Sequence, residues 1–303
     1  MHDHPEANVT DELRPVSPAA SAPRRREGRA PTPAEAYESY SVPALFAPLA
    51  QLLVEAARPQ PGDRLVDVAC GTGIVLRQAA SHVGPQGRLD GVDVNPDMVS
   101  VARETVDHEG LTAVFHEAPA EALPFADASA DLVLCGAGLM FFPDRVAALS
   151  EMRRVVVPDG AVAVSVLQDI SRHPFYAALF DAIQDHLGLE SFSGPFVLGD
   201  EDELRRLFSA AGFASVRVDQ GSFTARFAEP ERFLTAAVNT ASAGIPQLQR
   251  LPAEARDELI TAVSGRMEDR VHAATVDEHV VLPMHAHIVR ATPTSTPRWP
   301  VGG

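Results

Sequence analysis

The amino-acid sequence predicts an α/β fold, a doubly wound and mostly parallel sheet of seven strands. Two observations lead to this prediction. Short and nearly continuous apolar runs recur along the chain, and stretches with helical spacing separate them. Strands that are apolar on both faces need cover on both faces, so this alternation is typical of a parallel sheet between two layers of helices. Sheets of this kind bind ligands at the carboxyl ends of their strands.

The elements are predicted in order along the chain. Apolar residues at helical spacing from about Glu35 to Pro59 predict a first helix. The patterns that follow predict strands at 64–69, 88–94, 112–116, 131–135 and 161–167, with helices at 72–82, 96–106 and 144–155 between them.

The alternation changes after residue 167. Helical spacing over 175–187 precedes a strand at 214–219, and a long helical region over about 230–270 precedes a last strand at 280–289. We interpret residues about 168–200 and 228–278 as helical lid insertions over the strand ends, in preference to a separate second domain. Residues 34–292 then form one domain. The segments 1–33 and 293–303, which are rich in proline and polar residues, are predicted to be disordered tails.

Composition narrows the classes of partner. The 303 residues include 41 acidic and 25 basic side chains, and every basic one is arginine, for a formal net charge of -16. This charge repels phosphate backbones and anionic membranes, so we expect neither nucleic acid nor a membrane as partner. The sequence lacks the apolar run of about 18 residues that a membrane span needs and the apolar core of a signal peptide, which predicts a cytoplasmic protein. The two cysteines and 11 histidines show no metal-binding spacing, so no metal is predicted.

The segment DVACGTG, residues 67–73, directly follows the first predicted strand and precedes a predicted helix. A glycine turn in this place brings bare backbone close to a ligand. Two nucleotide-binding patterns compete for it. The dinucleotide pattern Gly-x-Gly-x-x-Gly fails because Leu76 stands at its third glycine. The pattern acid-x-Gly-x-Gly-x-Gly fits Asp67, Gly71 and Gly73, and departs only at Ala69.

At these residues the chain resembles the class I S-adenosylmethionine-dependent methyltransferases, most closely the small-molecule branch that includes quinone-biosynthesis enzymes. The resemblance covers about residues 37–167 and implies a Rossmann-like methyltransferase fold with S-adenosylmethionine as cofactor. It is carried by four segments in the order and spacing of that family: LVDVACGTG, LDGVDVNPDM, EALPFADASADLVLCGAGLMFFPD and ALSEMRRVVVPDGAVAVSV.

The resemblance implies a role for individual residues. Asp67 would receive the cofactor's ammonium group. Asp93, which ends the second strand, can accept hydrogen bonds from both ribose hydroxyls, although a dinucleotide fold places an acid there too. The family's Asp-Ala-Glu segment is Pro119-Ala120-Glu121 here, so only the backbone N–H of Ala120 remains for the adenine. The full set of predicted cofactor-binding residues is Asp67, Ala69, Cys70, Gly71, Gly73, Asp93, Val94, Met98, Ala120, Glu121, Cys135 and Tyr37.

Several of these residues also have a purely structural interpretation. Asp93 could cap the next helix, although Asn95-Pro96 can begin that helix unaided. Val94 and Met98 could be core residues, Tyr37 could pack in the core, and the two cysteines are predicted to be small packing residues without redox chemistry.

The predicted reaction is in-line transfer of a methyl group to an O, N or C atom of a small, fairly apolar metabolite. Residues 135–139, CGAGL, lack the Asn/Asp-Pro-Pro-aromatic segment of nucleic-acid amino methyltransferases. His173, at the start of the first insertion, is the first candidate for a general base, whereas His285 and His287 are predicted to be buried strand residues. The alternatives are a non-methylating reaction with the same cofactor, a non-catalytic binding module and a nicotinamide oxidoreductase. A homodimer is possible.

Overall fold

The structure is a computed structural model, and it describes residues 29–189, 194–242 and 246–294. Residues 1–28 of the predicted tail 1–33 lie outside the described residues. Residues 295–303 of the predicted tail 293–303 also lie outside them. Parts of both predicted insertions, 190–193 and 243–245, also lie outside them.

One central sheet organises the chain, with the strand order β3-β2-β1-β4-β5-β8-β6. The strands from β1 to β5 pair in parallel, and β8 pairs antiparallel with both β5 and β6. This confirms the predicted doubly wound, mostly parallel sheet, to which a two-residue strand, β7, is added beside β8. The strands are β1 Arg64–Val68, β2 Arg88–Asp93, β3 Val114–Glu117, β4 Ala130–Gly136, β5 Val156–Leu167, β6 Ser215–Ala228, β7 Thr275–Val276 and β8 His279–Thr292.

The helix at Glu201–Ala210 was not predicted, and the other helices lie where the apolar spacing predicts them, with shifts of one or two residues at most ends. The long region predicted over 230–270 is divided into three helices. The helices are α1 Pro33–Ala36, a π-helix Tyr37–Phe46, α2 Ala47–Ala57, α3 Ile74–Val83, α4 Pro96–His108, α5 Arg145–Val155, α6 Pro174–Leu187, α7 Glu201–Ala210, α8 Pro230–Ser242, α9 Pro246–Gln249 and α10 Ala253–Ala274.

The first helical stretch is unusual because its middle part is a π-helix of ten residues, Tyr37–Phe46, with Pro43 inside it. A proline cannot complete the α-helical hydrogen-bond pattern, and π-helical turns are rare and frequently occur at functional sites. The stretch Pro33–Ala57 is also long and apolar enough for a membrane span by length and composition, which the sequence analysis did not expect. More than half of its apolar window is buried inside the protein, as in the core helix of a soluble protein.

Three groups of buried apolar residues fill the interior. One lies between the sheet and α2, α3 and α4, and a second lies between the opposite face and α5 and α7. The third joins the π-helix, α6, α8 and α10 to the outer halves of β6 and β8. The two predicted insertions therefore pack on each other and on the π-helix, next to the strand ends that hold the site.

Strand β6 is much longer than the predicted segment 214–219. Its second half pairs with β8 residue by residue as far as Ala228. In this second half Gln220, Ser222 and Thr224 are exposed and polar, so the sequence there looks like a loop. The third core group packs against this long antiparallel pair of strands, β6 and β8.

Candidate cofactor and acceptor site

Asp67 is the last residue but one of β1, which lies in the sheet between β2 and β4. Its side chain is fully buried, and within the described chain neither carboxylate oxygen has a hydrogen-bond partner. Burial raises the pKa of Asp67 well above its usual range, and the nearby Asp93 carboxylate raises it further. An unpaired buried carboxylate is costly, so this position needs a ligand that brings a cation or hydrogen-bond donors.

The loop after β1 presents backbone to the same place. Gly71 and Gly73 have φ angles of +54° and +86°, which favour glycine, and a Cβ built on Gly71 meets no other atom within 4 Å. Helix α3 begins at Ile74 with Gly73 as its N-cap and without a side-chain cap. The loop therefore leaves open space beside Gly71 and an uncapped helix N-terminus, which suits an anionic or strongly polar group.

Asp93, at the end of β2, holds this loop in place. Its Oδ2 accepts a hydrogen bond of 2.8 Å from the N–H of Gly71, and its Oδ1 accepts one of 2.9 Å from the N–H of Asn95. Burial raises the pKa of Asp93, and these backbone donors oppose the rise. The backbone of Val94 is a third donor to this carboxylate, so only part of its capacity of about four acceptor sites is left for a ligand. The side chain of Asn95 caps α4 through the N–H of Asp97, so the helix does not need Asp93 as its N-cap.

Other residues predicted to bind the cofactor follow β2 and β3. The N–H of Ala118 donates to the carbonyl of Asp93 at 3.2 Å, which brings the segment before Ala120 beside β2. Val94 is 71% exposed, unusual for a large apolar side chain, so an apolar ligand surface can cover it. Met98 is half-buried and Ala120 is buried.

Glu121 has a different partner from the one that the resemblance implies. Its Oε1 accepts a hydrogen bond of 3.3 Å from the N–H of Asp144, just before α5. A role for its side chain toward the cofactor remains a proposal.

Tyr37 lies over the site on the π-helix. Its pKa is raised first by burial and then by the carboxylates of Glu38, Asp93 and Asp67. Glu38 is buried, and its Oε1 lies 2.8 Å from Nη1 of Arg77 on α3. This ion pair ties the π-helix to α3, the helix that follows the glycine loop of residues 69–73. Tyr40, by contrast, is a core residue whose hydroxyl donates to the carbonyl of Ala228 at 2.8 Å.

The two cysteines are free and buried. Burial raises the pKa of both thiols, so they stay protonated and unreactive at neutral pH. Cys70 belongs to the glycine loop. The side chain of Cys135 is completely enclosed in the core, so only its backbone is left for the predicted cofactor contact.

The structure contradicts the prediction that His173 is a general base. The ring is buried, its Nδ1 lies 3.1 Å from the carbonyl of Asp169, and its Nε2 accepts the N–H of His285 at 3.0 Å. The carbonyl requires the proton on Nδ1, and the lone pair of Nε2 is already used. Burial also lowers its pKa. His173 therefore fastens the start of α6 to β8. His287 is also a buried strand residue, as predicted, with Nε2 2.9 Å from the carbonyl of Gly199.

A second cavity, which sequence reasoning missed, adjoins the cofactor residues. This apolar cavity has a volume of about 60 Å³. Its walls come from the π-helix, the segment after β4, α6, β6 and α8. Phe46 on its wall contacts the ring of Tyr37, with ring centroids 4.9 Å apart, so the cavity lies next to Tyr37. The lining residues are Ser41, Leu45, Phe46, Leu49, Ala137, Met140, Phe141, Leu167, Tyr176, Phe180, Pro195, Phe196, Phe227, Ala236, Ala237, Thr240 and Ala241.

Comparison with known proteins identifies the family. Residues 65–160 match a family described as a methyltransferase domain. A demethylmenaquinone methyltransferase of Staphylococcus aureus is 34% identical over 171 residues, which cover 52% of this chain and 70% of that protein. The chain belongs to the class I S-adenosylmethionine-dependent methyltransferases. Members of this family use S-adenosylmethionine, and the unpaired Asp67 carboxylate and the open glycine loop of this methyltransferase fit that cofactor.

Other similarities are shorter or concern the fold. An uncharacterised protein of Mycobacterium tuberculosis is 38% identical over 120 residues, 40% of this chain and 43% of that protein, so the methyltransferase spans less than half the length of this relative. The crystal structure of a putative methyltransferase from Bacillus halodurans superimposes with a TM-score of 0.54 at 17% identity. It covers 81% of this chain and 99% of that one, and the likeness is one of fold.

Ala69 supports a prediction about stability. It has a φ of +56°, a left-handed conformation that costs a residue with a Cβ about 1–2 kcal/mol. Ala69→Gly removes this strain but adds chain entropy to the unfolded state, so we expect a net stabilisation of about 0.5–1 kcal/mol in urea unfolding. Ala128→Gly, at an exposed loop position with φ +50°, is the matched control and should stabilise similarly. A loss of stability in the first variant alone would mean that the Ala69 methyl group is needed for packing.

Proposed function

We propose that this protein transfers the methyl group of S-adenosylmethionine to a small, fairly apolar metabolite by in-line displacement. The observation that carries the proposal is the apolar cavity, whose wall residue Phe46 packs against Tyr37, one of the residues predicted to bind the cofactor. A methyl acceptor and a methyl donor need to meet at such a junction, away from bulk water.

The residues near the glycine loop divide the work of holding the cofactor. Asp67 would bind the ammonium group, which would relieve its unpaired, buried carboxylate. Asp93 would accept the sugar hydroxyls through its remaining lone pairs while it keeps Gly71 in place. Val94, Met98 and the backbone of Ala120 would border the adenine. Tyr37 would close over the cofactor from the π-helix, whose position is fixed by the Glu38–Arg77 ion pair.

The bound cofactor supplies a methyl group on a positively charged sulfur, and this charge disappears during the transfer. The described walls of the apolar cavity include no carboxylate, imidazole or guanidinium, and Tyr176 is their one titratable residue. The chain therefore contributes orientation and exclusion of water, which can lower a barrier by about 7–11 kcal/mol in favourable systems. The acceptor atom must be nucleophilic without a protein base of this kind.

The choice of acceptor follows from the cavity and from one relative. The cavity is almost wholly apolar, and a protein 34% identical to this chain is named a demethylmenaquinone methyltransferase. Demethylmenaquinone and other hydroxylated ring compounds are therefore the first acceptors to test. A cytoplasmic location, a homodimer and the absence of nucleic-acid or membrane partners remain predictions.

The direct test is a methyl-transfer assay with S-adenosylmethionine and a panel of ring acceptors. We expect S-adenosylhomocysteine to form together with a product heavier by one methyl group, and charged acceptors of similar size to react poorly. Turnover of an acceptor without S-adenosylhomocysteine would instead support the non-methylating alternative. If the protein binds S-adenosylmethionine but none of the acceptors in the panel reacts, this result would count against methyl transfer to this substrate class.

A further inference from the structure

Tyr176 differs from the other polar side chains at the apolar cavity. It lies on α6, is half-buried, and its ring packs against Phe180 and Phe196, with centroid distances of 6.4 and 5.6 Å. In the described parts of the chain its hydroxyl makes no hydrogen bond, although the residue lines the cavity. The ring is thus fixed by its aromatic neighbours while its polar end is left without a partner.

The other hydroxyls nearby are satisfied within the protein. Ser41 and Thr240 lie with their hydroxyl oxygens 3.4 Å apart, and one donates to the other. The hydroxyl of Tyr40, behind the cavity wall, donates to the carbonyl of Ala228. The Tyr176 hydroxyl is not fully buried, so among the described residues of the cavity wall it is the hydroxyl that is free to donate a hydrogen bond to a ligand.

The Tyr176 hydroxyl is a donor and not a base. Burial raises its pKa, and the neighbouring Tyr40 raises it further, so the phenol stays protonated throughout the ordinary pH range. It can therefore donate its proton in a hydrogen bond to an oxygen, but it cannot remove a proton from the acceptor at neutral pH.

The walls also exclude charged ligands. None of the described lining side chains carries a charge, so an ionised ligand would lose its hydration without gaining a counter-ion. The aromatic walls formed by Phe46, Phe180, Phe196 and Phe227 suit a flat ring.

We propose that Tyr176 donates a hydrogen bond to a carbonyl or hydroxyl oxygen of the acceptor, and that the acceptor is a neutral ring compound with this oxygen on an otherwise apolar frame. Tyr176 is thus a residue that determines specificity. The assignment of this ligand as the methyl acceptor rests on the proposed function, whereas the hydrogen bond itself does not.

The test compares two probes of nearly equal shape, 2-naphthol and 2-methylnaphthalene, by calorimetric or NMR titration of the full chain. Tyr176→Phe removes only the hydroxyl. We expect it to weaken binding of 2-naphthol by about threefold to tenfold, the effect of one neutral hydrogen bond, and to change binding of 2-methylnaphthalene less than twofold. Tyr40→Phe is the matched control. It removes a hydroxyl outside the cavity and should leave the ratio of the two probes' dissociation constants unchanged.

The outcomes separate this inference from the proposed function, because S-adenosylmethionine binding is titrated in parallel. If Tyr176→Phe affects both probes equally or neither, the inference is overturned, even when methyl transfer is intact. If the ratio between the probes depends on Tyr176 but S-adenosylmethionine does not bind, the proposed function fails and the hydrogen-bond role stands.

Discussion

Asp67→Asn is expected to stabilise the ligand-free protein and to weaken S-adenosylmethionine binding by about tenfold to 100-fold. The Asp67 carboxylate is fully buried without a partner in the described structure, so an uncharged amide avoids the cost of an ionised group there. The same substitution removes the negative charge that would pair with the ammonium group, a charge-assisted hydrogen bond of about 1.5–3 kcal/mol. Thermal unfolding and calorimetric titration measure the two effects.

The pH dependence of stability gives an independent check. Folding raises the pKa of Asp67 above its ordinary value of 3.8, so its protonated form is the one that the fold favours. The stability that this group contributes is complete below pH 3.8 and is lost as the pH rises through the higher folded-state pKa. The free energy of unfolding of the wild-type protein should therefore decrease relative to that of Asp67→Asn as the pH rises from about 4. Parallel profiles for the two proteins would contradict a raised pKa.

Asp90→Asn is the matched control for this experiment. Asp90 is also buried, on the neighbouring strand β2, but its carboxylate is paired with Arg88 at 2.6 Å and with His116 at 3.0 Å. Removal of its charge should lower stability and leave cofactor affinity within about twofold, the reverse of the Asp67 result. If both variants behaved alike, the change in affinity would come from a general disturbance of the sheet.

Asp93→Ala is expected to weaken S-adenosylmethionine binding by at least about tenfold and to lower the free energy of unfolding by about 2 kcal/mol. Its carboxylate accepts the N–H groups of Gly71 and Asn95, and both bonds are lost together with the contacts to the sugar. Calorimetry and urea unfolding give the two values.

A comparison of three variants separates a direct contact from loop positioning. Asp97→Ala removes an exposed acid four residues further on and should change affinity little. Asp93→Asn keeps one acceptor oxygen and should fall between wild type and Asp93→Ala. If Asp93→Ala retained full affinity, Asp93 would have neither role toward the cofactor.

Local patterns explain what the sequence predicts well. One short segment, residues 67–74, contains the acid near the end of β1, the two glycines and the start of α3. Their arrangement can therefore be predicted from local sequence. The strands and helices from β1 to β5 follow from apolar spacing that each element shows by itself, although β5 begins at Val156, five residues before the predicted segment 161–167. Cys70, in the same loop, is likewise buried as a small apolar residue would be.

Partners that are distant in the chain explain what the sequence does not predict. His173 looks like a base candidate because it begins an insertion, but its Nε2 is occupied by the backbone of His285, 112 residues away. The apolar cavity joins residues of the π-helix, α6, β6 and α8, none of which forms a recognisable motif alone. The helical spacing of Phe175, Tyr176 and Phe180 was a visible signal, but core packing shows the same pattern.

The central claim is that the loop after β1 holds an adenosyl cofactor between Asp67 and Asp93. A crystal structure of the protein with S-adenosylhomocysteine tests it most directly. The account predicts the amino group of that compound at the Asp67 carboxylate, directly or through one water, and its sugar hydroxyls at Asp93 beside Gly71. If crystals grown with saturating S-adenosylhomocysteine showed no density for it at this loop, or showed it at a different part of the fold, the account would be contradicted.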